Sequence, residues 1–322
     1  MAEVLMPEDK RYRVVFFGAD DFSVPSLDRL AKFPDRYQLL VVTYTDRPHR
    51  HRKKPLPTPV KEYAIERGLE IVEVNKKTLK SDSFIHRLKE FRPYLGVIAS
   101  FTIIPSFIVQ LPIKGIVNVH PSLLPLYRGA APVNWAIING ESQTGVTTFL
   151  VGDRVDAGGV LLQKAVKIKD GETAGELRKR LSYEAATLLE QSVDRYLRGV
   201  LKPASQSDSQ ATPAPKIKHR HRIVDWSNSA HRICNLILGL SPSPAALTKF
   251  RGKDIKLLRA KFLTDERQAS PGEIIKIDSE GIVVAGGEGL LLLTEVQPAG
   301  SKVMFARDFV NGYRVKRTEK FG

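Results

Sequence analysis

The chain has 322 residues, is 42% hydrophobic and 26% charged, and carries 50 Lys and Arg against 35 Asp and Glu, a net charge of +15. A length of this kind fits about two domains, each large enough to bury a core unaided, and the single cysteine, Cys234, excludes a disulfide framework and any Cys-built metal site. The positive excess points to a polyanionic partner, either nucleic acid or an anionic membrane surface, or else to solubility alone; charge by itself does not choose among them.

Residues 1–13 mix Glu3, Glu8 and Asp9 with basic residues around no apolar segment, so they read as neither a secretory signal nor an intact transit peptide. Residues 13–17 form a β-branched and aromatic run that ends at Gly18, and a helical pattern follows through residues 25–30. Gly18-Ala-Asp-Asp-Phe-Ser23 does not match G-x-G-x-x-G, so a dinucleotide is not the expected cofactor. Further apolar runs occupy residues 39–44, 95–101 and 115–120, with an amphipathic helix near residues 84–91. Residues 96–113 are uncharged, yet Pro105 and Pro112 interrupt them, which predicts a buried strand, a turn and a short helix rather than a membrane span. Continuous apolar runs separated by helices predict an α/β domain with a Rossmann-like, mostly parallel sheet and helices on both faces. Residues 145–151 and 159–168 read as two more strands, and residues 173–198 as one long amphipathic helix.

Residues 202–215 are rich in Pro, Ser, Gln and Ala and read as an interdomain linker. A helix is expected over residues 230–238, with Cys234 as an inert core thiol. Short strands over residues 253–258, 272–277, 281–284 and 290–296, separated by Gly-containing turns, predict a small β-barrel. The expected organisation is a domain over residues 1–201, a linker over residues 202–215 and a second domain over residues 216–322.

The chemistry concentrates where the run of residues 115–120 ends. In a strand, Asn118 and His120 share a face, and ligands of open α/β sheets gather beyond the carboxyl ends of the strands. Asp156 lies in Val155-Asp-Ala-Gly-Gly159, between two strand-like segments. An amide, an imidazole and a carboxylate suit acyl transfer to an amine. The imidazole shuttles a proton, the amide stabilises the oxyanion, and the carboxylate orients the imidazole. Taken alone, Asn-x-His and an Asp before small residues also fit turn capping and packing.

The longer string narrows the choice. Asn118-Val-His-Pro-Ser-Leu-Leu-Pro125, then Arg128-Gly-Ala-Ala-Pro132 and Val155-Asp-Ala-Gly158, resembles the folate-dependent formyltransferase superfamily, and most of all its tRNA-acting branch. Phe16-Phe-Gly18, Phe22-Ser-Val-Pro-Ser-Leu27, Pro59-Val-Lys61, Asp225-Trp226 and Gln297-Pro-Ala-Gly-Ser-Lys-Val-Met304 extend the resemblance over most of the chain. It implies Asn118, His120 and Asp156 as catalytic residues and an OB-like C-terminal barrel. It further implies 10-formyltetrahydrofolate as formyl donor, the α-amino group of methionyl initiator tRNA as acceptor, and no metal. Folate is expected near Phe101, Ser122, Leu123, Leu124, Pro125 and residues 151–156, with Arg128 and Gly129 shaping the site. The chain departs from the family at Ala19, where a Thr is usual, and at Ser100-Phe101-Thr102, where an aromatic-Gly pair is usual.

For the tRNA, the resemblance singles out the basic loop Arg47-Pro-His-Arg-His-Arg-Lys-Lys54, with Arg47, Arg50, Arg52, Lys53 and Lys54 as phosphate contacts. Lys216, Lys218, Arg220 and Arg222 form a second basic cluster, and Lys249, Arg251, Lys253 and Lys256 a third. Trp226 reads as a buried domain-interface residue rather than a base-stacking platform. Two other readings stand beside this one. An N-formyltransferase acting on an amino-sugar nucleotide would share the catalytic residues, and an inactive RNA-binding relative would share the basic surface. Glycinamide formyltransferases lack the second domain. A monomer without membrane association is expected, in the bacterial cytosol or an organelle matrix.

Overall fold

The computed structural model describes residues 11–46, 55–264 and 269–322. The elements in chain order are β1 (Tyr12–Gly18), α1 (Val24–Ala31), β2 (Tyr37–Tyr44), α2 (Pro59–Glu66), β3 (Glu70–Val74), α3 (Asp82–Phe91), β4 (Leu95–Ala99), α4 (Ser106–Val109), β5 (Ile116–His120), α5 (Pro132–Ile138), β6 (Gln143–Leu150), β7 (Val160–Lys167), α6 (Ala174–Leu197), α7 (Ala230–Leu240), β8 (Ala246–Phe250), β9 (Lys253–Leu263), β10 (Ile274–Ile277), β11 (Ile282–Ala285), β12 (Leu290–Pro298), β13 (Met304–Phe305) and α8 (Ala306–Tyr313). By contacts the chain divides into two compact units. One comprises Met1–Arg128, Gly145–Val166 and Lys179–Pro213; the other comprises Gly129–Thr144, Lys167–Arg178 and Ala214–Gly322.

The first unit is built on a seven-stranded sheet in the order β3-β2-β1-β4-β5-β6-β7. β1 to β5 pair in parallel, and β6 joins β5 antiparallel. β1 and β2 are buried on both faces because their residues are apolar in succession. Val15, Phe17, Leu40 and Val42 face Phe84, Leu88 and Phe91 of α3 and Ile108 of α4, while Val14 and Phe16 point to the opposite face. On the helices, Thr58 caps α2 by accepting from the Lys61 N–H, and Ser81 caps α3 by accepting from the Phe84 N–H. The strand order reverses between β1 and β4, which lie side by side in parallel while their connections run opposite ways. That crevice is where an open α/β sheet takes ligands.

The second unit carries an antiparallel sheet, β10-β11-β12-β9-β8, with β13 paired to β12. Its two edges are joined by the C-terminal segment. Glu273 beside β10 bridges Lys320, and Phe250 of β8 bridges Phe321. Its core gathers Trp226, Cys234, Ile237, Leu257, Leu291, Leu293 and Phe309. Trp226 lies buried in this core, donating to Thr248 Oγ1 at 2.9 Å and stacking on Phe321. Burial pushes the Cys234 thiol up to about 12, so it stays protonated and inert. α5 and α7 approach closely because Gly239 has no side chain; a Cβ there would sit 2.6 Å from Ile138 Cγ1.

Candidate active site

β5 pairs with β4 on one side and β6 on the other, and its carboxyl end delivers Asn118 and His120. His120 is buried. Its Nε2 lies 2.9 Å from the Tyr127 carbonyl oxygen. A carbonyl only accepts, so Nε2 carries the proton and the neutral ring has its lone pair on Nδ1. Nδ1 faces Asp156 Oδ2 at 3.7 Å, with the Asp156 side chain 12% exposed. That distance is within ion-pair reach but too long for a direct hydrogen bond. Asn118, two residues back on the same face, is half-buried.

The loop after β5 is held from below. Ser122 is fully buried and its hydroxyl donates to the Leu126 carbonyl at 2.6 Å. Thr147 Oγ1 donates to the Ser122 carbonyl and accepts from the Leu124 N–H, and Gln163 Nε2 donates to the Leu124 carbonyl. Of the residues expected to meet folate, Ser122 and Leu124 are therefore turned inward, while Leu123 and Pro125 are partly exposed. Phe101 stacks on Tyr44, ring centroids 4.6 Å apart, and leans on Phe17. Ser100, in the left-handed region at φ 53°, donates to Asp20 Oδ2 at 2.6 Å and so ties the ends of β1 and β4 together. Ile103, Leu126 and Val155 remain exposed on the loops of this edge.

The 151–159 loop is constrained by its backbone. Asp156 adopts φ 52°, a conformation that costs energy for any residue with a side chain. At Gly158 a Cβ would lie 1.7 Å from the Leu150 carbonyl oxygen, so no side chain fits there. Arg128 does not point a free guanidinium into the site. It donates to Gln206 Oε1 at 3.1 and 2.8 Å and pairs with Asp208 at 2.9 Å. Gly129, at φ 128°, has the Ala214 carbonyl where a Cβ would go. Gln206 was not singled out from the sequence, because its segment has the composition of a tether. Arg128 itself, a cation that demands acceptors, was the available signal.

Arg47, Arg50, Arg52, Lys53 and Lys54 lie outside the described residues. In the second unit, Lys216, Lys218 and Arg220 are exposed, as are Lys249 and Lys253. Arg222 donates to the Ala245 and Pro244 carbonyls, and Arg251 to Glu319 and the carbonyls of Tyr313 and Arg314. These two cations hold the fold together as well as carrying charge. Among the described residues, no group of three or more His, Cys, Asp or Glu is disposed to hold a metal ion, and no helix is long and apolar enough to cross a membrane.

The formyl transferase family matches residues 12–193, and the formyl transferase C-terminal domain matches residues 216–314. The methionyl-tRNA formyltransferase of Bacillus licheniformis is 40% identical over 313 residues, 96% of this chain and 98% of that one. That of Bacillus subtilis is 38% identical over the same shares. An N-formyltransferase from Helicobacter canadensis, solved with folinic acid and dTDP-3-aminofucose, shares the fold at a TM-score of 0.67 and 16% identity, over 89% of this chain and 99% of that one. HypX from Aquifex aeolicus, solved with tetrahydrofolic acid, shares it at a TM-score of 0.64 and 18% identity, over 96% of this chain and 48% of that one.

Proposed function

The chain belongs to the formyl transferase family, among the methionyl-tRNA formyltransferases, and from that membership we propose that it transfers the formyl group of 10-formyltetrahydrofolate to the α-amino group of methionyl initiator tRNA. The observation that carries the chemistry is the His120–Asp156 pair, with the Nδ1 lone pair and a carboxylate oxygen 3.7 Å apart at the end of β5. One amine nitrogen about 3 Å from each atom can donate to both. Asp156 passes the proton that the ammonium must lose on to solvent, leaving a neutral nucleophile beside a neutral His120.

As the amine attacks the formyl carbon, negative charge develops on the formyl oxygen, and the Asn118 amide donates to it. The amine gives its proton to His120 Nδ1. The imidazolium is stabilised by Asp156 and by the Tyr127 carbonyl, and it returns that proton to the folate nitrogen as the carbon–nitrogen bond breaks. The balance is one proton released from the ammonium to solvent and one moved from the amine to the leaving nitrogen.

The donor lies, in this reading, against residues 101–105, 122–125 and 151–156, where exposed Ile103 and Val155 offer apolar surface and backbone groups offer polar contacts. Residues 1–201 are the catalytic domain, residues 202–215 connect it to the next, and residues 216–322 bind tRNA. The cations at Arg47, Arg50, Arg52, Lys53 and Lys54 and at Lys216, Lys218, Arg220 and Arg222 contact phosphates. The protein works as a monomer in the compartment where translation is initiated, the bacterial cytosol or an organelle matrix.

Formyl transfer to charged initiator tRNA tests this with wild type, His120→Ala and Asn118→Ala. The wild type turns over; His120→Ala loses about a hundredfold to ten-thousandfold, and Asn118→Ala about a hundredfold or more. A wild type that formylates an amino-sugar nucleotide and not the tRNA replaces the acceptor. A wild type that binds tRNA and formylates nothing is an inactive relative.

A further inference from the structure

Residues 204–213 have the composition of a tether, yet within the first unit they are hydrogen-bonded at every second or third position. Ala204 exchanges backbone hydrogen bonds with Val160, at 2.7 and 2.8 Å. Gln206 Nε2 donates to the carbonyls of Asp156 at 2.9 Å and Gly158 at 2.8 Å. Its carboxamide orientation is dictated by its surroundings, since two carbonyls only accept and the Arg128 guanidinium only donates. Asp208 bridges Arg128 and Arg154. Thr212 Oγ1 accepts from the Tyr127 N–H at 2.8 Å, and the Thr212 carbonyl accepts from the Arg128 N–H at 2.9 Å.

The pattern has a common target. Tyr127 supplies the carbonyl that fixes the His120 proton on Nε2, and Thr212 holds the Tyr127 peptide. Asp156 supplies the facing carboxylate from a left-handed backbone that is unfavourable by itself, and Gln206 holds its carbonyl. We infer that Gln206 and Thr212 are positioning residues that set the distance and facing of His120 and Asp156, so that the 204–213 segment is part of the catalytic apparatus. This rests on the formyl-transfer reading above.

The decisive comparison uses the full chain in steady-state and single-turnover formyl transfer to methionyl initiator tRNA. Gln206→Glu keeps the shape of the side chain and an acceptor for Arg128 but cannot donate to the two carbonyls. Its kcat falls about tenfold to a hundredfold, the scale of a misplaced catalytic group, while KM for both substrates and the unfolding midpoint stay near wild type. Thr212→Val removes the acceptor for the Tyr127 N–H and lowers kcat in the same way; Thr212→Ser keeps the hydroxyl and restores it. Should Gln206→Glu fail to fold, the Thr212 pair decides alone. Wild-type kcat in Gln206→Glu and Thr212→Val overturns the inference, as does a change confined to KM or a Thr212→Ser variant as slow as Thr212→Val. A wild type that transfers no formyl group sinks the underlying reading instead, and the two failures are told apart by that control.

Discussion

The two units place their functional groups under opposite constraints. In the first, an imidazole and a carboxylate face each other across 3.7 Å. One is oriented by a carbonyl, and the other sits on a loop where Gly158 admits no side chain. In the second, Lys216, Lys218 and Arg220 stand exposed on a short surface stretch. Proton transfer is steep in distance and angle, so the backbone around it is over-determined. Attraction to a phosphate backbone sums over many charges and tolerates flexible side chains. Under the proposed function, the first unit is therefore fragile to changes of shape, and the second to changes of charge.

Gly158→Ala presses hardest on that contrast. Its Cβ would meet the Leu150 carbonyl oxygen at 1.7 Å, so the 151–159 loop must rebuild and carry Asp156 away. The expected result is a kcat loss of about a hundredfold, for a single methyl group that touches no substrate. Circular dichroism and single-turnover kinetics check it, and a folded variant with wild-type kcat breaks the comparison.

A gentler effect is expected from removing three charges together. Lys216→Ala, Lys218→Ala and Arg220→Ala combined should weaken tRNA binding and flatten its dependence on salt, with the slope of log K against log salt reduced by about two to three. The chemical step at saturating tRNA stays unchanged. Binding isotherms at several salt concentrations measure the slope. A kcat effect without a slope change would show that these cations act through shape.

The smallest effect concerns acid. Hydrogen bonds from Arg154 and then Arg128 hold the Asp208 carboxyl below the usual carboxylate range. A depressed carboxylate contributes stability above its unfolded value, and the contribution is lost as pH falls through the folded one. The Asp208 bridge is accordingly intact at neutral pH and is released only below the ordinary carboxylate range. Asp208 is exposed, so the gain is small. Asp208→Asn should lower the unfolding midpoint slightly at pH 7, and the difference from wild type should vanish as pH falls below the ordinary carboxylate range, which thermal scans from pH 2 to 7 would display.

Much of this was legible in the chain, for identifiable reasons. Residues 13–17, 39–44 and 95–101 are apolar without interruption, and they became β1, β2 and β4, buried on both faces. The alternation Asn118-Val-His120 placed two side chains on one face. Other elements escaped. β3 is Glu-Ile-Val-Glu-Val at an open edge of the sheet and is largely uncovered, so its pattern lacks a core signature. α5 and α8 are short, at seven and eight residues, and span too few turns to show a helical period. The antiparallel sense of β6 cannot be read from an apolar run, since burial sets composition and not direction. The commitment of the Ser122 hydroxyl to the Leu126 carbonyl is a contact that the residue pattern does not announce. Residues 204–213 misled most, because Pro, Ser and Gln describe a tether equally well whether or not its hydrogen bonds close on a neighbouring loop.

The tail that joins the two edges of the second sheet has a consequence for colloidal behaviour. β8 and β10 would each offer a row of unmatched amides and carbonyls, the template on which another chain can add a strand. Thr318, Phe321 and Gly322 donate to the carbonyls of Ile274, Gly272 and Lys249, and the Glu319 carbonyl accepts from Ile274, so both templates are occupied by the chain itself. Removing residues 318–322 should therefore bare these stretches of edge and favour strand addition by another chain.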